Sequence, residues 1–373
     1  MMPMKLRLLT IAAIAVAVLS MIPGSLRAAD DWATIVANAK KEGVVSVHGM
    51  PGKTYHEAMV AAFNKYYPDI KVKFTAVAGG SEVPKALRER AAGIHEWDVW
   101  LGGSSSALGP LKEAGFFLPL RPVLRAEIMA DDKWIGGFED GFLDDGKSIF
   151  YAFDGTIQNP VMVNWDFVKK GSIKTLADLA KPEFAGKMAG FDPRIAGTGV
   201  GTSQTLLHNV GKEGLIAIYK NQVTYTGNAR QLMEWMVRGR YPIGLAYDHG
   251  ELEQFRAQGL GMNIGPLDDD AYQTRQITPG YGNVGLVDKA PHPNAAIVYI
   301  NWLLSKEGQE EWVKVPRASR RADVKPVVVE LSPKPGLSYF NGYKEEYTKE
   351  RQGLAQVAKE AIDGEGSRTA PAK

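Results

Sequence analysis

Hydrophobic residues switch between two periods along this chain, and they do so in two separate blocks, which fixes the fold class before any motif is considered. Gly43-Val44-Val45-Ser46-Val47-His48 is an apolar run closed by Gly49-Met50-Pro51-Gly52 and reads as a strand. Over 55–66, Ala58, Met59, Ala62, Phe63 and Tyr66 recur at helical spacing, and Pro68 stops the helix they predict. Ile70, Val72 and Phe74 then alternate with Lys71, Lys73 and Thr75, the pattern of a strand with one covered face. A helix over 82–92, a strand over 97–101 and a Gly102-Gly103-Ser104-Ser105-Ser106 turn opening another helix continue the series. This β-α-β-α-β-α order predicts an α/β fold in which a mostly parallel sheet is flanked by helices.

An extended stretch over 150–165, containing Asp154-Gly155-Thr156 and Asn159-Pro160, interrupts the alternation and reads as a crossover. Beyond it a short helix and turn (176–183), strands over 187–191 and 243–247, a helix start at 202–210 and a helix over 229–238 build a second α/β unit. A strand over 281–287 and a helix over 294–313, with Ile297, Ile300, Leu303 and Leu304 on one face, return to the first. The expected organisation is lobe 1 from 29–150, a hinge crossover over 151–165 and lobe 2 from 166–275. Residues 276–345 are then the return strand and the rest of lobe 1, and 346–373 a C-terminal helix with a frayed end.

Residues 1–28 read as a secretory signal peptide. Lys5 and Arg7 precede an apolar run of 15 residues, Leu8 to Ile22, followed by Leu26-Arg27-Ala28-Ala29. The run is shorter than the ~20 residues that span a bilayer. Without Lys5, Arg7 and Arg27, 41 basic residues face 42 acidic ones, so no basic excess favours nucleic acid or anionic lipid. The chain has no cysteine, which removes disulfide scaffolds, thiolate metal sites, Cys nucleophiles and a lipid tether on Cys. A freely diffusing, monomeric periplasmic protein without cofactor is expected, its chemistry resting on oxygen and nitrogen atoms.

Three strand-to-helix loops hold the candidate binding residues, because ligands of α/β sheets sit beyond the carboxyl ends of strands, near helix N-termini that favour anions. The first carries Met50 and Gly52. It lets the backbone approach a ligand, or it is a plain tight turn. Gly52-Lys53-Thr54 ends like a phosphate-binding loop, but Val47 stands where that pattern needs glycine. The second offers Ser104 and Ser105 as donors to an anion or as helix caps. The third, 192–203, combines Gly197, Thr198, Gly199 and Thr202 with Arg194, whose fork suits a carboxylate or phosphate or else pairs with Asp192. Gly280, Gly282 and Gly285 match a dinucleotide fingerprint in spacing, yet Leu286-Val287 extends a strand there rather than opening a helix. On the hinge, Asp154, Thr156 and Tyr281 are placed to line a cleft, where Asp154 accepts from a ligand or braces the hinge.

Several segments together resemble the extracellular solute-binding proteins of ABC importers, in the type 2 periplasmic-binding fold and the branch of the ferric-ion-binding proteins. They are Val44 to His48, Trp97-Asp98-Val99-Trp100, the phrase Thr156 to Asn164, Thr175 to Lys187, Gly244-Leu245-Ala246-Tyr247-Asp248 and the late helix from Asn294 to Trp312. The resemblance covers essentially the whole chain after the leader. It implies two lobes that close around one small solute and present it to a membrane permease. The solute expected from Arg194 and the glycine-rich loop is a small organic anion: a phosphonate, phosphate ester or carboxylate.

The resemblance also implies an alternative cargo, ferric ion or a ferric chelate. Ferric-binding relatives hold iron with two adjacent tyrosines of the second lobe, helped by a His and an acidic residue of the first, and hard Fe(III) prefers such oxygen ligands. At the matching place this chain reads Ala246-Tyr247-Asp248-His249, with one tyrosine. Tyr247, Asp248 and His249 are the candidate iron ligands, with His48 as a further donor. Tyr247 and Asp248 aim the same way only if the strand has ended before them. An enzyme is not expected: no Gly-x-Ser-x-Gly elbow is present, and Asp98, Asp154 and Asp192 have no spacing that marks a catalytic pair. A secreted hydrolase is the remote alternative, separable by turnover on ester and phosphate substrates.

Overall fold

The computed structural model describes residues 32–49, 53–77, 79–195, 197–277, 282–334 and 336–364. The proposed leader, Met50, Gly52, Tyr281 and the end of the chain after Gly364 lie outside the described residues. The first block runs α1 (Trp32–Glu42), β1 (Val44–Gly49), α2 (Lys53–Tyr66), β2 (Lys71–Ala76), α3 (Gly79–Ala91), β3 (Val99–Leu101), the short α4 (Ser104–Ser106), β4 (Phe117–Leu118) and β5 (Tyr151–Ala152). The second runs β6 (Val161–Asn164), β7 (Met188–Phe191), α5 (Thr198–Lys220), β8 (Thr224–Thr226), α6 (Ala229–Val237), β9 (Ile243–Leu245), α7 (His249–Arg256), β10 (Ile264–Pro266) and β11 (Arg275–Gln276). β12 (Asn283–Val287), α8 (Pro293–Leu304), α9 (Lys306–Trp312), β13 (Tyr339–Phe340) and α10 (Thr348–Asp363) follow.

Two main sheets, one per lobe, take all of these strands except β11 and β13, which pair with each other. The first has the order β2-β1-β3-β12-β4, with β5 also on β12, and the second β10-β6-β9-β7-β8. β1 pairs in parallel with β2 and β3, and β7 with β8 and β9. β12 runs antiparallel to its three partners, and β6 to β9 and β10, so each sheet is mixed rather than mostly parallel. The reason lies in the chain path: the strands that enter each lobe from the hinge run against the βαβ strands. Apolar residues of β1, β3 and β12 pack with α2, α8 and α9 in one core, and Val161, Val163, Leu206, Ile218 and Ile243 anchor another.

The hinge is built from two chain crossings held side by side. Ile157 bridges Ile277, and the Gln158 amide donates to the Gln276 carbonyl at 2.8 Å. A third segment, 318–331, runs along the first crossing, with Gly155 N donating to Ala318 O and Ile157 N to Leu331 O, both at 2.9 Å. The chain then crosses again. After β13 pairs with β11, Glu345 bonds the Leu143 carbonyl in lobe 1, while Leu354, Ala358, Ala361 and Ile362 of α10 enter the core of lobe 2.

Two expected elements differ in extent. The single helix over 294–313 is two, α8 and α9, because Ser305 leaves helical geometry and its hydroxyl accepts from Gly308 N at 3.1 Å. The glycine-rich loop before 202 is already helical: α5 starts at Thr198, so Gly199 and Gly201 lie in its first turns. No described helix is long and apolar enough to cross a membrane.

Candidate functional site

The hinge residues turn inward to the protein itself. Asp154 is fully buried, bridges Ser319, and accepts from Thr156 N at 2.7 Å through Oδ1, while Oδ2 has no hydrogen-bond partner and lies 3.8 Å from Arg317 Nη1. Burial pushes its carboxyl up, and the Arg317 guanidinium pulls the other way. Thr156 Oγ1 accepts from Ala318 N at 2.9 Å. Both residues brace the crossing against the 318–331 segment instead of lining a cleft. Ser104 is buried behind Gly102 and Gly103, whose φ values of 73° and 66° make the tight turn out of β3, and Ser105 is exposed. The cap position of α4 belongs to Gly103, so neither serine caps it.

The loop 192–203 is a docking surface for neighbouring elements, which corrects the expectation of an anion cradle. Arg194 directs Nε and Nη2 at the two carboxylate oxygens of Asp192 (2.8 and 2.6 Å) and Nη1 at Asp363 of α10 (2.6 Å). Its fork is filled from within the chain. Burial pushes the Asp192 carboxyl up, but the bonds from Arg194 outweigh it and hold the group below the usual carboxylate range. Gly199 is glycine for packing: a Cβ there would stand 2.6 Å from the Asp192 carbonyl oxygen. Thr202 is buried and its hydroxyl accepts from Gln158 Nε2 at 3.3 Å, tying α5 to the hinge. Of this group only Gly197 and Thr198, at the start of α5, are exposed.

The loop after β9 is different. β9 ends at Leu245, and Ala246 takes φ 79°, a left-handed conformation sparse for alanine, fixed by its N–H donating to Pro160 O at 2.7 Å. Tyr247 therefore leaves the strand before Asp248 caps α7, with Asp248 Oδ1 accepting from Glu251 N at 2.9 Å. That capping role commits Asp248 to the helix rather than to a ligand. His249 opens α7 half-buried, its ring 6.3 Å from that of Tyr247. Glu253, one turn along, lies on the same helix face. Glu330 arrives from the 3-10 turn Val329–Leu331 beside the hinge.

Ligating atoms of His249, Glu253 and Glu330 lie within 4.8 Å of one another. Arg256 Nη1 stands 2.7 Å from Glu253 and 3.6 Å from Glu330, and Asn159 Nδ2 reaches the Glu330 carbonyl at 3.5 Å. The His249 Nδ1 and Asn159 Oδ1 atoms are buried without hydrogen-bond partners. Burial pushes the Tyr247 phenol up to about 12, with Asn159 and Arg256 opposing and the Glu330 and Asp248 carboxylates adding to the shift. One phenol, one imidazole and two carboxylates make a hard, anionic donor set suited to a highly charged cation. Glu253 and Glu330 were not singled out in the sequence. The i, i+4 spacing of His249 and Glu253 was a signal for the first, and nothing local signals the second.

His48 is not among these donors. It is fully buried in lobe 1, stacked on Trp100 at 3.5 Å with both ring nitrogens unpartnered, and burial holds its pKa down to about 4.

A Fe(3+)-binding periplasmic protein of Serratia marcescens is 25% identical over 319 residues, covering 82% of this chain and 84% of its own. The ferric iron-binding protein A of Mannheimia haemolytica, solved in an open conformation, superposes with a TM-score of 0.67 at 15% identity over 87% of this chain and 100% of that one. The periplasmic binding protein AfuA of Actinobacillus pleuropneumoniae, solved with fructose-6-phosphate, gives 0.62 at 20% identity over 86% and 99%. The architecture is that of type 2 periplasmic-binding proteins, two α/β lobes with helices on their sheets. The family profile described as bacterial extracellular solute-binding protein matches residues 49–310, more than half of the sequence, and the chain belongs to that family.

Proposed function

We propose that this protein is the periplasmic solute-binding component of an ABC importer and that its cargo is ferric iron, taken as the ion or as a chelate. The observation that carries this reading is Tyr247, a phenol released from β9 by the left-handed Ala246 into a neighbourhood of His249, Glu253 and Glu330. Iron(III) favours phenolate and carboxylate oxygens, and its charge offsets the cost of deprotonating the phenol. The similarity to ferric-binding proteins supports the same cargo. Binding works by population shift: a ligand that touches both lobes stabilises the closed form, which the permease then recognises. The protein acts as a monomer and releases its cargo unchanged, with no turnover.

The test is spectroscopic. Loading with ferric citrate is expected to give a visible phenolate-to-iron charge-transfer band that Tyr247→Phe abolishes; a colourless iron-loaded wild-type protein counts against the reading.

A second reading is the organic anion, now narrowed to a phosphorylated sugar. Gly197 and Thr198 are exposed at the start of α5, whose first segment runs to a break at Gly211, and a helix start presents free N–H groups and a positive dipole end. A thermal-shift screen separates the two: stabilisation by sugar phosphates with none by iron favours this reading.

A further inference from the structure

The donors beside Tyr247 do not need the tyrosine to form a site. His249 and Glu253 stand one turn apart on α7, so both side chains leave the same face, and Glu330 meets them from a different part of the chain. All three present a ligating atom within 4.8 Å of the others. Two glutamates this close repel each other unless something positive lies between them. Arg256 supplies part of that charge, bonding Glu253 at 2.7 Å but remaining 3.6 Å from Glu330, beyond a hydrogen bond. It approaches Oε1 of each carboxylate through the same nitrogen, Nη1. Nδ1 of His249 is buried and has no hydrogen-bond partner within the protein.

We propose that His249, Glu253 and Glu330, three of the donors beside Tyr247, form without the phenol a site for a first-row divalent cation such as Zn(II). One imidazole and two carboxylates suit such a cation, whereas calcium and magnesium favour oxygen-only shells. Arg256 holds Glu253 in place as an outer partner of a ligating carboxylate. The site also spans two parts of the molecule. Glu330 lies in the segment whose Leu331 carbonyl accepts from Ile157 of the crossing at 2.9 Å, so a bound cation ties α7 of lobe 2 to the hinge. This inference stands whether or not the cargo is ferric.

The experiment is isothermal titration of zinc sulfate into the untagged, metal-stripped protein, with thermal melts of each variant. Wild type is expected to bind one Zn(II). Glu330→Gln and Glu253→Gln, both nearly isosteric and at exposed positions, are each expected to weaken binding by about tenfold or more with the metal-free melting temperature retained. Tyr247→Phe is expected to keep zinc binding while losing the ferric colour, which separates this site from the iron reading. The proposal is overturned if wild type takes up no zinc, if both Gln variants bind as wild type does, or if Tyr247→Phe abolishes zinc binding.

Discussion

Lobe 2 contains two strand-to-helix loops on adjacent parallel strands, and they have opposite fates. The loop from β7 to α5 has the composition of a ligand cradle, with three glycines, two threonines and an arginine between Asp192 and Thr202. Its polar groups are consumed internally: Arg194 by Asp192 and Asp363, Thr202 by Gln158, Gly199 by its approach to the Asp192 carbonyl. The loop from β9 to α7 has no glycine between Leu245 and His249, yet it leaves donors uncommitted beside Tyr247. The lesson is that glycine and hydroxyl content marks close approach of backbone, and the thing approached is as often the protein's own helix as a solute.

The sharpest test of that contrast exchanges the roles. Tyr247→Phe is expected to weaken ferric loading by more than about a hundredfold, because no other phenol or thiolate stands in that loop. The pH dependence has a fixed sign. The Tyr247 phenol, held up near 12, must release a proton to ligate, so apparent affinity falls as pH falls, about tenfold per unit for each proton released. An affinity flat between pH 6 and 8 breaks the assignment.

Arg194→Ala is the mirror image. Loss of the bonds to Asp192 and Asp363 is expected to cost about 2 kcal/mol in denaturant melts and leave solute affinity within a factor of about two. A variant that folds as wild type but binds nothing restores the arginine as an anchor. Gly199→Ala follows with about 1 to 3 kcal/mol, since a methyl 2.6 Å from a backbone oxygen forces α5 off the end of β7.

The same contrast explains what the sequence revealed. Strand and helix periods were legible because burial is local in them: Val72 is buried between exposed Lys71 and Lys73, as its alternation predicts. The two-block order of elements was legible for the same reason. The fate of Arg194 was not, because Asp363 lies 169 residues away on a helix whose period marks an apolar face without saying which lobe it docks on. Glu330 was hidden in the same manner, as its place beside α7 depends on the path of the 318–331 segment along the hinge. The mixed sheets also escaped, since strand direction is set by how the chain enters each lobe, and that path is not encoded in hydrophobic period.

Asp248 provides the smallest effect and the finest discrimination. Its neighbours in sequence, Tyr247 and His249, are donors in the proposed sites, and by proximity alone it belongs with them. Its carboxylate instead closes the first turn of α7 through Glu251 N at 2.9 Å. Asp248→Ala is therefore expected to lower stability by about 1 kcal/mol, the usual cost of losing an N-cap, and Asp248→Ser to recover most of it. Iron and zinc affinities should change by only a small factor in Asp248→Ser, because a serine cap keeps His249 and Glu253 on their helix face. If Asp248→Ser instead loses the ferric band with its stability intact, the carboxylate is a ligand, the cap exchanges for the metal on loading, and the first turn of α7 must rearrange when cargo binds.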